Sequence, residues 1–396
     1  VSSLLTKKSL LFSWLALVLL SLVMRPPLTG VGALLPEIKE SLALEAWQVS
    51  LIAALPVLLF GFGAFFSPLL VRVFGVNRSV FLLTIVIAVG LAVRISGEFT
   101  IFALGTLAIG FAIAVNNVLL PSFVRNEFPA AVPMATGAYA AIFGVAASIA
   151  AAIAVPLSDS FGSWRISLLA WLPVSLLAAL AWLRFAKQDS NRGQVSSGDF
   201  KAERKAVLRS GLGWSIICFF ALQSAGFYLV LNWLASMLRD FGFSAVDAGN
   251  MLAITTFIGV PFSLIASYFF TRMKSLAWLA VGVSLVTALG YAFLLASPNL
   301  AIAGCILIGL GQATTFPMSL SFISTRAANH VQTTQLSTLA QGIGYLIAAT
   351  FTFAIGALRE ASGSWTSGLL LVLVATCVQT VAGFIAGRPG HIQAAK

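Results

Sequence analysis

The sequence predicts an all-α membrane protein, with twelve transmembrane helices in two pseudo-symmetric six-helix bundles. Three observations predict it: apolar runs of membrane length, a one-sided placement of basic residues, and a weak repeat at half the chain. Of 396 residues, 59% are hydrophobic and 9% charged, with a mean hydropathy of +1.00. That composition excludes a soluble globular domain. A span needs about 20 apolar residues. Twelve such runs lie near 10–35, 47–71, 79–97, 99–121, 134–157, 166–185, 211–236, 248–270, 276–296, 299–323, 335–358 and 366–386. None alternates with a period of two, and backbone groups in lipid must pair within their own segment, so the runs are helices.

The basic residues set the topology. With the N-terminus in the cytoplasm, 17 Lys and Arg fall on that side, from Lys7 and Lys8 through the Arg184–Arg209 stretch to Lys396. Five lie outside (Lys39, Arg94, Arg165, Arg239, Arg359), and Arg25 lies within the membrane. This is the positive-inside signal, and it predicts a multi-pass protein with both termini in the cytoplasm. The net charge of +11 is therefore topological, and no nucleic-acid partner is expected. Lys7 and Lys8 before an apolar run mimic a signal peptide. The run is too long, lacks a small-residue cleavage site and leads into eleven more spans, so a retained helix is expected. Cys218, Cys305 and Cys377 all fall inside predicted spans, which supports neither a disulfide framework nor a metal site.

The one long polar stretch is KQDSNRGQVSSGDFKAERKAVLRS, residues 187–210, read as a cytoplasmic linker. It separates two bundles, 1–186 and 211–396. These resemble each other: Gly162-Ser163-Trp164 recurs as Gly363-Ser364-Trp365 at an offset of 201, and Ile109-Gly110 as Ile308-Gly309 at 199. Parallel halves related about the membrane normal imply a solute site near midplane between them.

The stretch SLVMRPPLTGVGALL, residues 21–35, is the most informative. Pro26 and Pro27 lack an N–H, so carbonyls one turn back, Ser21 to Val23, lose helical partners. Arg25 sits beside them, only about 4 Å outward of the segment centre at ~1.5 Å per residue. Snorkelling outward means crossing roughly 11 Å of a ~30 Å core. A charge at a span centre costs ~2.5–3.5 kcal/mol on insertion scales, so such residues face a cavity or a partner. Two readings stay open: a structural arginine bonded to the freed carbonyls, or a cavity-facing cation that meets an anionic or strongly polar solute. All twelve acidic residues fall in loops or at span ends, so no mid-membrane carboxylate is available to neutralise Arg25 or carry a proton. His330 and His391 lie in a loop and the tail. A fixed guanidinium fork without an acid suits an anion, or a neutral molecule rich in oxygen or nitrogen lone pairs.

Several motifs carry a family resemblance over nearly the whole chain: MRPPLTGVGALLPEI in span 1, ALPVLLFG in span 2, RVFGVNRS after it, and NNVLLPSFVRNEFP closing span 4. TGAYAAIFG, LNWLASML and AQGIGYLIAA follow in spans 5, 7 and 11. The chain resembles the major facilitator superfamily, and within it the cyanate permease and 2-nitroimidazole transporter branch. One departure is the loop after span 2, where Leu70 to Arg78 contains no acidic residue. The resemblance implies the major facilitator fold, a cavity lined by spans 1, 4, 7 and 10 with 5 and 11, and small anionic or weakly acidic solutes. It also favours a site role for Arg25, and for Asn117 over Asn116; consecutive residues point about 100° apart, so only one need face the cavity. The alternative is amides that join helices.

Gln223, Tyr228 and Asn232 mark span 7, with Ser224, Tyr228 and Asn232 on one face. Gln312, Thr314 and Thr315 lie on span 10, where the threonines can bond back to their own helix. Tyr139 on span 5, and Gln341 with Tyr345 on span 11, complete the candidates. Their rings suit either a flat ligand or simple packing. Glycines such as Gly61, Gly63, Gly105, Gly110, Gly309, Gly311, Gly342 and Gly344 form no nucleotide motif and read as close-packing positions.

The expectation is a secondary or facilitative carrier, not an enzyme, acting as a monomer in lipid on a small-molecule substrate, with no cofactor. A proton-driven multidrug exporter predicts an embedded carboxylate, which is missing. A membrane receptor predicts a signalling domain, for which the linker and tail leave little room. Proton coupling would run through the solute itself or a group at the cavity mouth such as Glu127 or Asp159.

Overall fold

The protein is described by a computed structural model covering residues 2–95, 97–189, 197–270, 272–273 and 275–393. Part of the expected linker (190–196) and the basic residues Arg192, Lys274 and Lys396 lie outside the described residues. Regular structure among the described residues is helical throughout. The first half holds α1 (Ser2–Val23), α2 (Pro26–Ala33), α3 (Leu35–Ser41), α4 (Ala46–Ala64), α5 (Ser67–Phe74), α6 (Val76–Val93) and α7 (Phe99–Glu127). It continues with α8 (Val132–Phe161), α9 (Trp164–Leu169) and α10 (Leu172–Asp189), and α11 (Ser197–Arg209) follows. The second half holds α12 (Gly211–Asp240), α13 (Ala245–Phe257), α14 (Gly259–Phe270), α15 (Ala277–Ala296), α16 (Ala301–Arg326), α17 (His330–Ser362) and α18 (Thr366–Gly387).

Ten of the expected spans are long and apolar enough to cross a membrane among the described residues. The other two are divided: 47–71 into α4 and α5, and 248–270 into α13 and α14. Proline explains the division. α4 ends at Ala64, four residues before Pro68, and α13 ends at Phe257, four before Pro261. The same spacing ends α1 at Val23 before Pro27 and α9 at Leu169 before Pro173. In each case the last helical residue is the one whose carbonyl would have received the missing N–H. Pro56, Pro121, Pro156 and Pro317 sit inside continuous helices, so proline marks these breaks without dictating every one.

The chain forms two compact units, Val1–Glu127 with Ile142–Asp199, and Phe128–Ala141 with Phe200–Lys396; the division falls inside α8. In the first, α6 packs on α7 and α10, α4 on α7, and α1 on α10, where the Trp182 indole donates to the Ala16 carbonyl at 3.1 Å. In the second, α12 packs on α17 and α18, and α15 on α16 and α18. Small residues permit these approaches. A Cβ on Gly63 would lie 2.8 Å from Ala114, and one on Gly110 would lie 2.6 Å from Leu59. One on Gly344 would lie 2.6 Å from Phe220.

The expected linker is more than a tether. Its helix α11 groups with the second unit from Phe200 onward. Glu203 is buried there and accepts from Asn329 Nδ2 and Gln332 Nε2, both at 2.7 Å. Asn329 caps α17, so this carboxylate also meets the favourable end of a helix dipole.

Candidate functional site

Arg25 occupies the gap between α1 and α2, with φ −123° and ψ −45°, and Pro26 and Pro27 open α2 as buried residues. Proline suits that place because the first helical N–H groups have no partner to lose. The Arg25 carbonyl restarts the helix by accepting from Leu28 N at 3.0 Å and Thr29 N at 3.1 Å. Its half-buried guanidinium lies against two rings, with Cζ 4.9 Å from the centroid of Phe143 and 5.4 Å from that of Phe60. Among the described residues, no carboxylate and no main-chain oxygen takes a bond from it. The freed carbonyls therefore do not absorb this charge. Ring faces stabilise a cation without neutralising it, so the in-plane N–H donors keep their capacity for an anion.

One carbonyl of the break does meet an arginine, but a different one. Arg94, counted on the outer side at the end of the expected span 79–97, is fully buried at the end of α6 and donates from Nη1 to the Pro27 carbonyl at 2.6 Å. Gly105 makes room: a Cβ there would lie 2.6 Å from the Cβ of Arg94. The expected span 79–97 takes in residue 94, but the charge count assigned it to the outer side. The available hint was a glycine on the next helix.

Asn116 and Asn117 are both buried in α7, at 0% and 6% exposure, so burial does not choose between them. The Asn116 side chain has no hydrogen-bond partner among the described residues at either polar atom. Arg25, Asn116 and Asn117 belong to the first unit; the remaining candidates belong to the second.

In the second unit, Tyr345 stands edge-on to Phe220 at 5.4 Å and to Tyr228 at 6.2 Å, and Phe316 adds a ring 6.4 Å from Phe220. Tyr139, buried, is within electrostatic reach of Tyr345. Gln223 donates to Ser224 Oγ at 2.7 Å, and its Oε1 is buried without a partner among the described residues. Gln341 donates to Ser337 Oγ at 2.9 Å. Gln312 is turned toward α12, where a Cβ on Gly226 would meet its Nε2 at 2.6 Å. Thr315 and Thr314 bond back to Gln312 and Leu310, at 3.4 and 3.2 Å, as expected for hydroxyls in a helix. Asn232 is exposed and donates to the Tyr228 carbonyl one turn back, at 2.7 Å. The structure thus gathers Tyr228 and Tyr345 with two phenylalanines that the sequence did not single out, and ties Asn232 to its own helix. Among the described residues, no group of His, Cys, Asp and Glu could hold a metal ion.

The chain's relatives are consistent with this architecture. The Major Facilitator Superfamily profile matches residues 14–349. The 2-nitroimidazole transporter of Escherichia coli K12 is 31% identical over 381 residues, covering 95% of each chain. The cyanate transport protein CynX of the same organism is 27% identical over 354 residues, 89% of this chain and 91% of its own. Among solved structures, the E. coli fucose:proton symporter FucP superposes with a TM-score of 0.76 at 13% identity, over 96% of this chain and 100% of that one. That identity speaks for the fold alone.

Proposed function

The chain belongs to the Major Facilitator Superfamily and is a multi-pass membrane transporter, and from that premise we propose that it carries a small anionic or weakly acidic solute by alternating access. Its halves, 1–186 and 211–396 joined by 187–210, rock about a site to which Arg25 contributes the charge. The observation that carries this reading is the state of Arg25: seated against Phe60 and Phe143, with no acid or main-chain oxygen bonded to it among the described residues. The cargo supplies the missing negative character. The names of the nitroimidazole and cyanate relatives agree with compact, electron-rich solutes. In this reading Asn116 and Asn117 add neutral donors in the first half. Gln223 and Gln341 add amides in the second, and Tyr139, Tyr228 and Tyr345 supply faces for a flat solute. Both termini are cytoplasmic, and the monomer in lipid is the working unit.

Proteoliposome uptake of labelled benzoate, 2-nitroimidazole and cyanate tests the proposal. Wild type accumulates at least one of them, and Arg25→Ala reduces that uptake to the empty-liposome level. Equal uptake by both proteins refutes the role of Arg25. Repeating the assay at fixed membrane potential, with and without a pH gradient, separates proton-coupled from uncoupled transport.

A further inference from the structure

Arg94 has a donor edge to spare, and a comparison within the chain makes that edge informative. The Pro27 carbonyl takes its extra bond from Arg94, at the end of the third span. At an offset of 199, Pro27 falls on Gly226. The Gly226 carbonyl takes its extra bond from the buried Tyr291 hydroxyl, in the ninth span, at 3.1 Å. The same place in the repeat is served by a neutral phenol. A buried guanidinium is a costly way to supply one hydrogen bond, so the Pro27 bond alone does not account for the charge.

Burying Arg94 leaves Nε and Nη2 with no partner among the described residues. These two are not a random pair. Nε–H and the adjacent Nη2–H form the side-on edge of the guanidinium, the fork that grips two oxygens on one atom. Nη1, on another edge, holds Pro27, two residues from Arg25. Two cations therefore serve one helix break. The segment between them and the outer surface is hinged: α2 has eight residues, with breaks on either side at Met24–Arg25 and Leu34. A Cβ on its Gly32 would meet nothing within 4 Å. Arg94 is fully buried, so a solute reaches its edge only when the structure opens there, and α2, whose Pro27 it bonds, is broken at both ends.

We propose that the Nε/Nη2 edge of Arg94 is a second oxyanion station, outward of Arg25, that recognises paired oxygens such as those of a carboxylate or nitro group. It rests on the anion reading of Arg25 and sharpens it into a specificity. A linear ion presents a single terminal atom and takes one bond from the fork, whereas a carboxylate takes two. One internal competitor exists: Glu37 on α3 also has a buried oxygen, Oε2, without a partner among the described residues.

The test is a thermal-shift titration of the purified full chain with benzoate and, separately, with cyanate. Arg94→Lys keeps the charge and a donor for Pro27 but removes the edge. It is expected to weaken benzoate binding about tenfold, the value of a lost charge-assisted bond, while cyanate binding changes less than twofold. Arg94→Gln, which also retains a donor, serves in its place if the lysine variant does not fold. Unchanged benzoate affinity, or equal losses for the two anions, overturns the proposal. So does a Glu37→Gln variant that binds benzoate tenfold or more tightly than wild type, which would make Glu37 the occupant of the edge. Arg25→Ala is the control for the underlying reading. If it binds both anions normally while Arg94→Lys loses benzoate, the Arg25 site fails and the Arg94 station stands.

Discussion

Spans 1 and 7 stand at matching places in the two halves of the sequence, and they differ in break, charge and neighbours. Around residue 25 the helix is broken, cationic and flanked by rings. At the matching place, Ser224 to Gly226, α12 runs unbroken from Gly211 to Asp240 and carries only neutral donors. Glycine there lets Tyr291 and Gln312 approach the backbone, whereas in span 1 Arg94 adds a bond to the Pro27 carbonyl just past the break. A pseudo-symmetric scaffold can thus keep its packing while concentrating charge in one half.

If the charged half binds and the neutral half shapes, Arg25→Ala has the largest effect, with uptake lost, while Arg25→Lys retains charge but loses the planar fork and falls about tenfold. Equal activity of the lysine variant would reduce Arg25 to a point charge. Next comes repair of the break. Pro26→Ala with Pro27→Ala restores two N–H groups, so span 1 can approach the continuity of span 7. The expected outcome is a higher melting temperature with transport reduced several-fold, read from the same liposomes. Equal transport would remove the break from the mechanism. Smaller again is Tyr291→Phe, which deletes one buried hydrogen bond. Loss of about 1 kcal/mol of stability, with anion affinity unchanged, would separate it from Arg94.

An effect of similar size, without a bearing on the anion, concerns the matching corners at Gly162 and Gly363, which have φ of +63° and +66°. A Cβ at either would meet nothing within 4 Å. Alanine therefore costs only the left-handed backbone strain, about 1 kcal/mol at each. Melting of the two variants in parallel checks whether the corners are equivalent. The Gly363 corner has further support, since Asp240 pairs with Arg359 at 2.8 Å and accepts from Trp365 Nε1 at 2.8 Å. At the Gly162 corner the matching Trp164 Nε1 is buried without a partner among the described residues. A larger loss at Gly162 than at Gly363 would show that the acid, not the backbone, secures the second corner.

Much of this arrangement was legible in the residues. Pro26 and Pro27 announced the break, and the absence of acid from every span left Arg25 as an unneutralised charge. The backward bonds of Thr314 and Thr315 follow from local helix geometry. Phe60 and Phe143 were not legible as neighbours of Arg25, because a phenylalanine in a span looks the same whether it meets lipid or a cation. Nor was Glu203, which composition assigns to a solvated linker and the fold buries against Asn329 and Gln332.

By itself the sequence determined the helical spans, the break at Pro26 and Pro27 and the sign of the charge within the membrane. These depend on hydropathy and on missing N–H groups, which are properties of neighbouring residues. Only the tertiary structure decided which polar atoms find partners. It gave the Pro27 carbonyl to Arg94, left the other edge of that guanidinium unbonded among the described residues, and set Arg25 between rings. Such pairings join residues far apart in the chain, and burial makes each one count.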